Sequence, residues 1–130
     1  VCRNLLSIKI ILATYENMPT MRFDEIENGV SGEISNRMGE IMQQMSGTMQ
    51  VFSITHLPQV ASKGQYQYKV YKEEGVTGTS THIKQLSSEE RIKELAATLG
   101  GKSLSASALA HARELLQLFF TFLFTVVLSK

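Results

Sequence analysis

Between Thr20 and Thr55 the apolar pattern changes period twice, and this constrains the chain more than any other feature. Thr20-Met-Arg-Phe23 is a short β-prone run. Ile34, Met38, Ile41, Met42 and Met45 then recur at helical spacing and share one face. Gly47 closes that helix, and Met49-Gln-Val-Phe-Ser-Ile-Thr55 returns to an extended pattern. Strand, helix and strand in so short a span make a βαβ unit, whose strands are parallel and whose crossover is right-handed. Parallel strands end at the same edge of their sheet, so the residues that follow each strand are brought together.

Polar groups stand at both of those ends. The stretch Pro19–Gly32 reads PTMRFDEIENGVSG: the first strand runs into Asp24 and Glu25, a turn with Gly29 and Gly32 follows, and Ser31 is placed to cap the helix. His56 follows the second strand directly. Asp24, Glu25 and His56 are therefore expected at one sheet edge, where open α/β sheets bind ligands. An Asp there can hold Mg²⁺, largely through water because that ion dehydrates reluctantly. A Glu one residue on points elsewhere and can polarise a water for attack on phosphorus, and His56 can hydrogen-bond a terminal phosphate oxygen. The plain alternatives stand beside this reading: an Asp-Glu pair that only solvates a turn, and a histidine that is only structural.

The remaining segments complete an α/β lobe. Leu5–Leu12 is dense in apolar residues and continues into Ala13-Thr-Tyr-Glu16 before Asn17 and Pro19, which predicts a helix. Arg22 is out of place in a central parallel strand, where both faces are usually apolar. After His56-Leu-Pro-Gln-Val-Ala61 comes a short helical turn. Tyr66–Lys72 and Thr79–Leu86 then form a peripheral antiparallel hairpin around Glu73–Gly78. Tyr66, Tyr68 and Tyr71 with Lys69 and Lys72 suit base stacking, but a strand with one wet face accounts for them as well and is preferred. Ser87–Glu90 is a capping box for a helix with Ile92, Leu95, Ala96 and Leu99 on one side, stopped at Gly100-Gly101. Ser105 caps a last helix through Gln117, with Leu109, Ala112 and Leu116 inward. The methionines are core packing, and His82 and His111 are structural or surface residues.

Bulk composition excludes rather than assigns. A net charge of +1 without a cluster of Lys and Arg gives no nucleic-acid footprint. Cys2 is the single cysteine, so there is no disulfide framework or zinc spacing, and a reducing, cytosolic setting is expected. The opening Val1-Cys-Arg-Asn-Leu-Leu reads as a chain entered midway through a helix. Leu118–Leu128 is apolar but shorter than the roughly 20 residues that span a bilayer, so no membrane is expected. This tail, 118–130, is uncharged up to Lys130 and free of Pro. It reads either as a self-associating segment or as an extension of the last helix packed on the sheet.

Four motifs in order, PTMRFDEIENGVSG, SITHLPQVA (Ser53–Ala61), YKVYKEEG (Tyr68–Gly75) and THIKQLSSEERI (Thr81–Ile92), resemble the C-terminal ATPase lobe of RecN, a bacterial DNA-repair family related to the SMC and ABC-type ATPases. The resemblance covers about residues 3–117. It implies a partial P-loop NTPase lobe of the ABC/SMC head type, with ATP and Mg²⁺ as cofactors. Asp24 would be the Walker B magnesium ligand, Glu25 the catalytic base and His56 the switch histidine. Gly29-Val-Ser-Gly32 would be the D-loop, through which a second head pairs in a homodimer. Arg3–Ala13 resembles the helix that follows the family's LSGGE signature. The family also implies DNA contact through the full-length protein and a cytoplasmic, nucleoid-associated location. Arg22 and Glu27-Asn28 depart from the family pattern, and neither LSGGE nor GxxxxGK[ST] occurs in these 130 residues. The expected role is thus one half of an ATP-hydrolysing site, with ATP gripped by elements outside the sequence. The alternative is a non-catalytic module that docks on a complete head through its D-loop and tail.

Overall fold

A computed structural model describes residues 2–26, 29–76, 78–101, 105–116 and 124–129. In chain order the elements are α1 (Cys2–Glu16), β1 (Thr20–Asp24), α2 (Gly32–Met45), β2 (Gln50–Thr55), α3 (Pro58–Ala61), β3 (Tyr66–Gly75), β4 (Gly78–Gln85), α4 (Ser88–Gly100), α5 (Ala106–Leu116) and β5 (Phe124–Ser129). The protein is a mixed α/β structure, and its five strands lie in the order β1-β2-β5-β3-β4. β1, β2, β5 and β3 are parallel to their neighbours, and β4 returns antiparallel along β3.

The βαβ unit takes the expected form. β1 pairs directly with β2, from Thr20 opposite Gln50 to Asp24 opposite Ile54. Met21 and Phe23 are buried and Thr20, Arg22 and Asp24 exposed, the period-2 alternation of a strand with one covered face. Arg22 is tolerated because β1 is an edge strand and its side of the sheet is open. The same rung of that side carries Phe52 and Tyr66, 37% and 42% exposed, with Thr125 buried between them.

The covered side holds the core. Met38, Met42 and Met45 of α2 pack with Phe23, Val51, Val60, Leu95, Ala96 and Ala112, so the methionines are indeed packing residues. α2 presses closely on α3 at Gly39, where a Cβ would lie 2.9 Å from Lys63 Cγ and 3.2 Å from the Gln59 carbonyl oxygen. The capping box at Ser87 and Glu90 forms reciprocally, and the Ser105 hydroxyl accepts from Ala108 N–H at 3.2 Å. Ser31 stands at the N-cap of α2 with extended backbone, but its hydroxyl makes no capping bond. Ser31, Gly32 and Glu33 are all exposed, so water can serve the first amides of that helix.

The tail supplies the main topological surprise. Residues 124–129 form a strand in the middle of the sheet, between β2 and β3. Its β-branched, uncharged sequence suits a central strand, while residues 117–123, including Gln117 of the expected last helix, lie outside the described residues. Among the described residues, no helix is long and apolar enough to cross a membrane.

Candidate active site

The edge where β1 and β2 end is built by their register. Asp24 is level with Ile54, and the chain turns at once: Glu25 N–H donates to the Ile54 carbonyl at 2.9 Å. Glu25 takes φ +45°, a left-handed conformation that costs a side-chain-bearing residue roughly 1–2 kcal/mol. Strain of this kind concentrates at functional positions. It also makes Asp24 and Glu25 leave the backbone in different directions although they are adjacent. Both are exposed.

On β2 the exit is set by a side chain. The buried Thr55 accepts the Leu57 N–H on its Oγ1 at 3.0 Å, which fixes the turn into α3. His56, between them, is exposed. Pro58 starts α3, where its missing N–H is no loss. Asp24, Glu25 and His56 thus share one sheet edge.

The glycine turn lies alongside. Gly29 has φ +77° with open space around its Cα, which explains glycine there. Ser31 and Gly32 lead into α2, and a Cβ on Gly32 would meet the Gln59 side chain of α3 at 3.7 Å. The turn therefore passes near the helix that follows His56. Glu27 and Asn28 lie outside the described residues.

One contact was not foreseen. Arg22 Nη2 donates to Asp24 Oδ2 at 3.4 Å, two residues along the same face of β1. Both side chains are well exposed, so this ion pair is weak. The i, i+2 spacing in a strand was its available signal.

Among the described residues, no cluster of three or more His, Cys, Asp or Glu could hold a metal ion by itself. That donor set does not fit a protein-built cage. It does fit a hydrated Mg²⁺, which takes one or two carboxylates and completes its shell from water and phosphate oxygens. Asp24 is the carboxylate available for this, with Glu25 beside it.

No family model matches the chain. Individual proteins do. The DNA repair protein RecN of Haemophilus influenzae is 39% identical over 113 residues, 87% of this chain and 20% of that protein. RecN of Vibrio cholerae is 40% identical over 114 residues, 88% of this chain and 21% of that protein. RecN of Rickettsia conorii is 38% identical over 116 residues, 89% of this chain and 21% of that protein. The chain matches a fragment of RecN. It spans about a fifth of the length of these curated RecN relatives.

Proposed function

We propose that this chain is the hydrolytic half of a RecN-like ATPase head acting in DNA double-strand break repair and recombination. The observation that carries the reading is the edge-to-edge register of β1 and β2, which sets Asp24 and the strained Glu25 beside the exit of His56. The similarity to RecN supports the same assignment.

In this reading Asp24 holds the water shell of Mg²⁺. The ion, when bound, offsets charge on the phosphate oxygens. The Glu25 carboxylate accepts a proton from the water that attacks the terminal phosphorus of ATP, while the bond from that phosphorus to the bridging oxygen breaks and ADP leaves with that oxygen. His56 hydrogen-bonds a terminal phosphate oxygen. The turn Gly29–Gly32, exposed at Gly29, Ser31 and Gly32, would meet a second head in a homodimer with ATP between the heads. The grip on the nucleotide comes from the rest of the head, since the phosphate loop motif is not in this sequence. DNA contact through the full-length protein and a cytoplasmic, nucleoid-associated location belong to the same proposal, which the relatives' name as DNA repair proteins supports.

The test is a chimera: Haemophilus influenzae RecN with its matched segment replaced by residues 3–117 of this chain. ATP turnover within about tenfold of the parent is expected. A chimera that folds and binds ATP but does not hydrolyse it would overturn the proposal.

A further inference from the structure

The sheet has two edges, and they differ. β1 is short and runs into the left-handed turn at Glu25. β4 is eight residues long, and every one of them is exposed. Its ladder with β3 is continuous from Gly78 opposite Gly75 to Gln85 opposite Tyr68. Just beyond it, Leu86 N–H donates to the Gln67 carbonyl at 2.8 Å. Bonds in an antiparallel ladder alternate, so Lys84, His82, Ser80 and Gly78 turn their amides and carbonyls towards β3. Thr79, Thr81, Ile83 and Gln85 turn theirs outward, to the side of β4 on which no strand lies among the described residues.

A long edge of this kind templates another strand, and proteins usually blunt such edges with Pro, a bulge or a charge. β4 has no Pro and no break in its register. Lys84 is its one permanently charged residue, and its Nζ is drawn back to Glu90 of α4 at 2.5 Å. His82 is drawn back as well. Tyr71 of β3 stacks on its ring, and its Nε2 lies 2.9 Å from Ser80 Oγ and 3.5 Å from Glu73 Oε2. On the opposite face of the strand Ile83 is 65% exposed. The outer side of β4 is thus a row of backbone groups and an apolar side chain, with the guarding charge turned inward.

What fits this edge is the edge itself. Turned antiparallel about His82, β4 sets Thr81 opposite Ile83 of a second copy and Thr79 opposite Gln85. All four outward residues of each copy then exchange backbone bonds. Ser80 stands opposite Lys84, which keeps the two lysines apart, and the two Ile83 side chains become diagonal neighbours. We propose that β4 is a dimerisation edge, at which a second copy of this chain pairs antiparallel about His82 and joins two five-stranded sheets into one. The contact is isologous, so it closes at two copies. It lies at the edge of the sheet away from β1, and it does not depend on ATP hydrolysis by Glu25.

The first test is a cysteine scan on the full chain carrying Cys2→Ser, so that each introduced thiol stands alone. His82→Cys puts the two thiols on a non-hydrogen-bonded antiparallel pair with Cα atoms about 4.5 Å apart, within disulfide reach. Ser80→Cys and Lys84→Cys each leave the matching thiols out of register, roughly 13 Å apart. Mild oxidation is expected to give at least about fivefold more disulfide-linked dimer from His82→Cys than from either of these. Equal yields would overturn the pairing. The second test is sedimentation equilibrium. The unaltered chain is expected to show a monomer–dimer equilibrium, and Ile83→Asp to weaken it at least about tenfold by setting two carboxylates side by side. Ile83 is exposed, so Ile83→Asp should leave the thermal unfolding of the monomer unchanged. A chain that stays monomeric, even one that captures an unrelated extended peptide, would overturn the proposal, as would a dimer that Ile83→Asp leaves intact.

Discussion

The two ends of the sheet are held in opposite ways. At the β1–β2 end, Asp24, Glu25 and His56 are exposed, and they are held by the Glu25–Ile54 backbone bond, the Thr55-anchored turn and the weak Arg22–Asp24 pair. At the β3–β4 end, side chains brace the hairpin to α4. Lys69 Nζ meets Glu94 Oε2 at 2.6 Å, and Lys84 Nζ meets Glu90 Oε1 at 2.5 Å. Arg91 donates to Gln67 Oε1 and to the Gln65 carbonyl, both at 3.1 Å, and to the Gly64 carbonyl. The hairpin itself carries a Tyr71–His82 stack with ring centroids 5.5 Å apart. Polar groups at one end are consumed by structure. At the other they are exposed and lightly held, and in the proposed function that difference separates substitutions that unfold the chain from those that would slow the reaction.

The largest effect should come from breaking the link between the two ends. Among the described strands, β5 alone joins β2 to β3. Deleting residues 118–130 should abolish cooperative thermal unfolding, and a truncated chain with an unchanged melting curve would refute that role. Next is Arg91→Ala, which strands several acceptors where β3 begins. Burial pushes the Arg91 pKa down from its ordinary value, yet the guanidinium remains charged and its bonds are charge-assisted. A loss of about 2–3 kcal/mol in denaturant unfolding is expected.

A smaller effect follows from acid. Glu90 is held down to about 2, chiefly by its hydrogen bond to Lys84 and then by the Ser87 amide. A depressed folded-state value stabilises the fold above the unfolded-state value near 4.5 and is lost as pH falls towards 2. The melting temperature should therefore decline between those values, and less steeply in Glu90→Gln. Because the pair is solvent-exposed, the contribution is modest. Smallest of all, Asp24→Asn and Glu25→Gln should shift unfolding by no more than about 0.5 kcal/mol. A large loss at either position would place the β1–β2 end among the structural regions and erase the contrast.

What could be read from the sequence was local. The period switch between Thr20 and Thr55 announced β1, α2 and β2. The methionine face, the Ser87–Glu90 capping box and the Tyr66–Leu86 hairpin depend on neighbours within a turn or a ladder. The shared edge of Asp24, Glu25 and His56 was legible too, because parallel pairing of consecutive strands follows from the βαβ pattern. The place of β5 was not. It pairs with the distant β2, and a side-chain hydrogen bond joins Gln50 to Thr125, 75 positions apart; no local period encodes which slot a distant apolar run will enter. Arg91 was missed because an arginine on an amphipathic helix looks like a solvated residue until β3 passes beneath it. The Arg22–Asp24 contact depends on β1 lying at the edge of the sheet, a position that its own residues do not encode.

The central claim is that Glu25 serves the reaction and not the fold. The direct measurement is steady-state ATP hydrolysis by the RecN chimera with and without Glu25→Gln. The account predicts that kcat falls at least about 100-fold, as for loss of a general base, while KM stays within about threefold and the denaturation midpoint does not move. An unchanged kcat in a folded, ATP-binding Glu25→Gln chimera would contradict it.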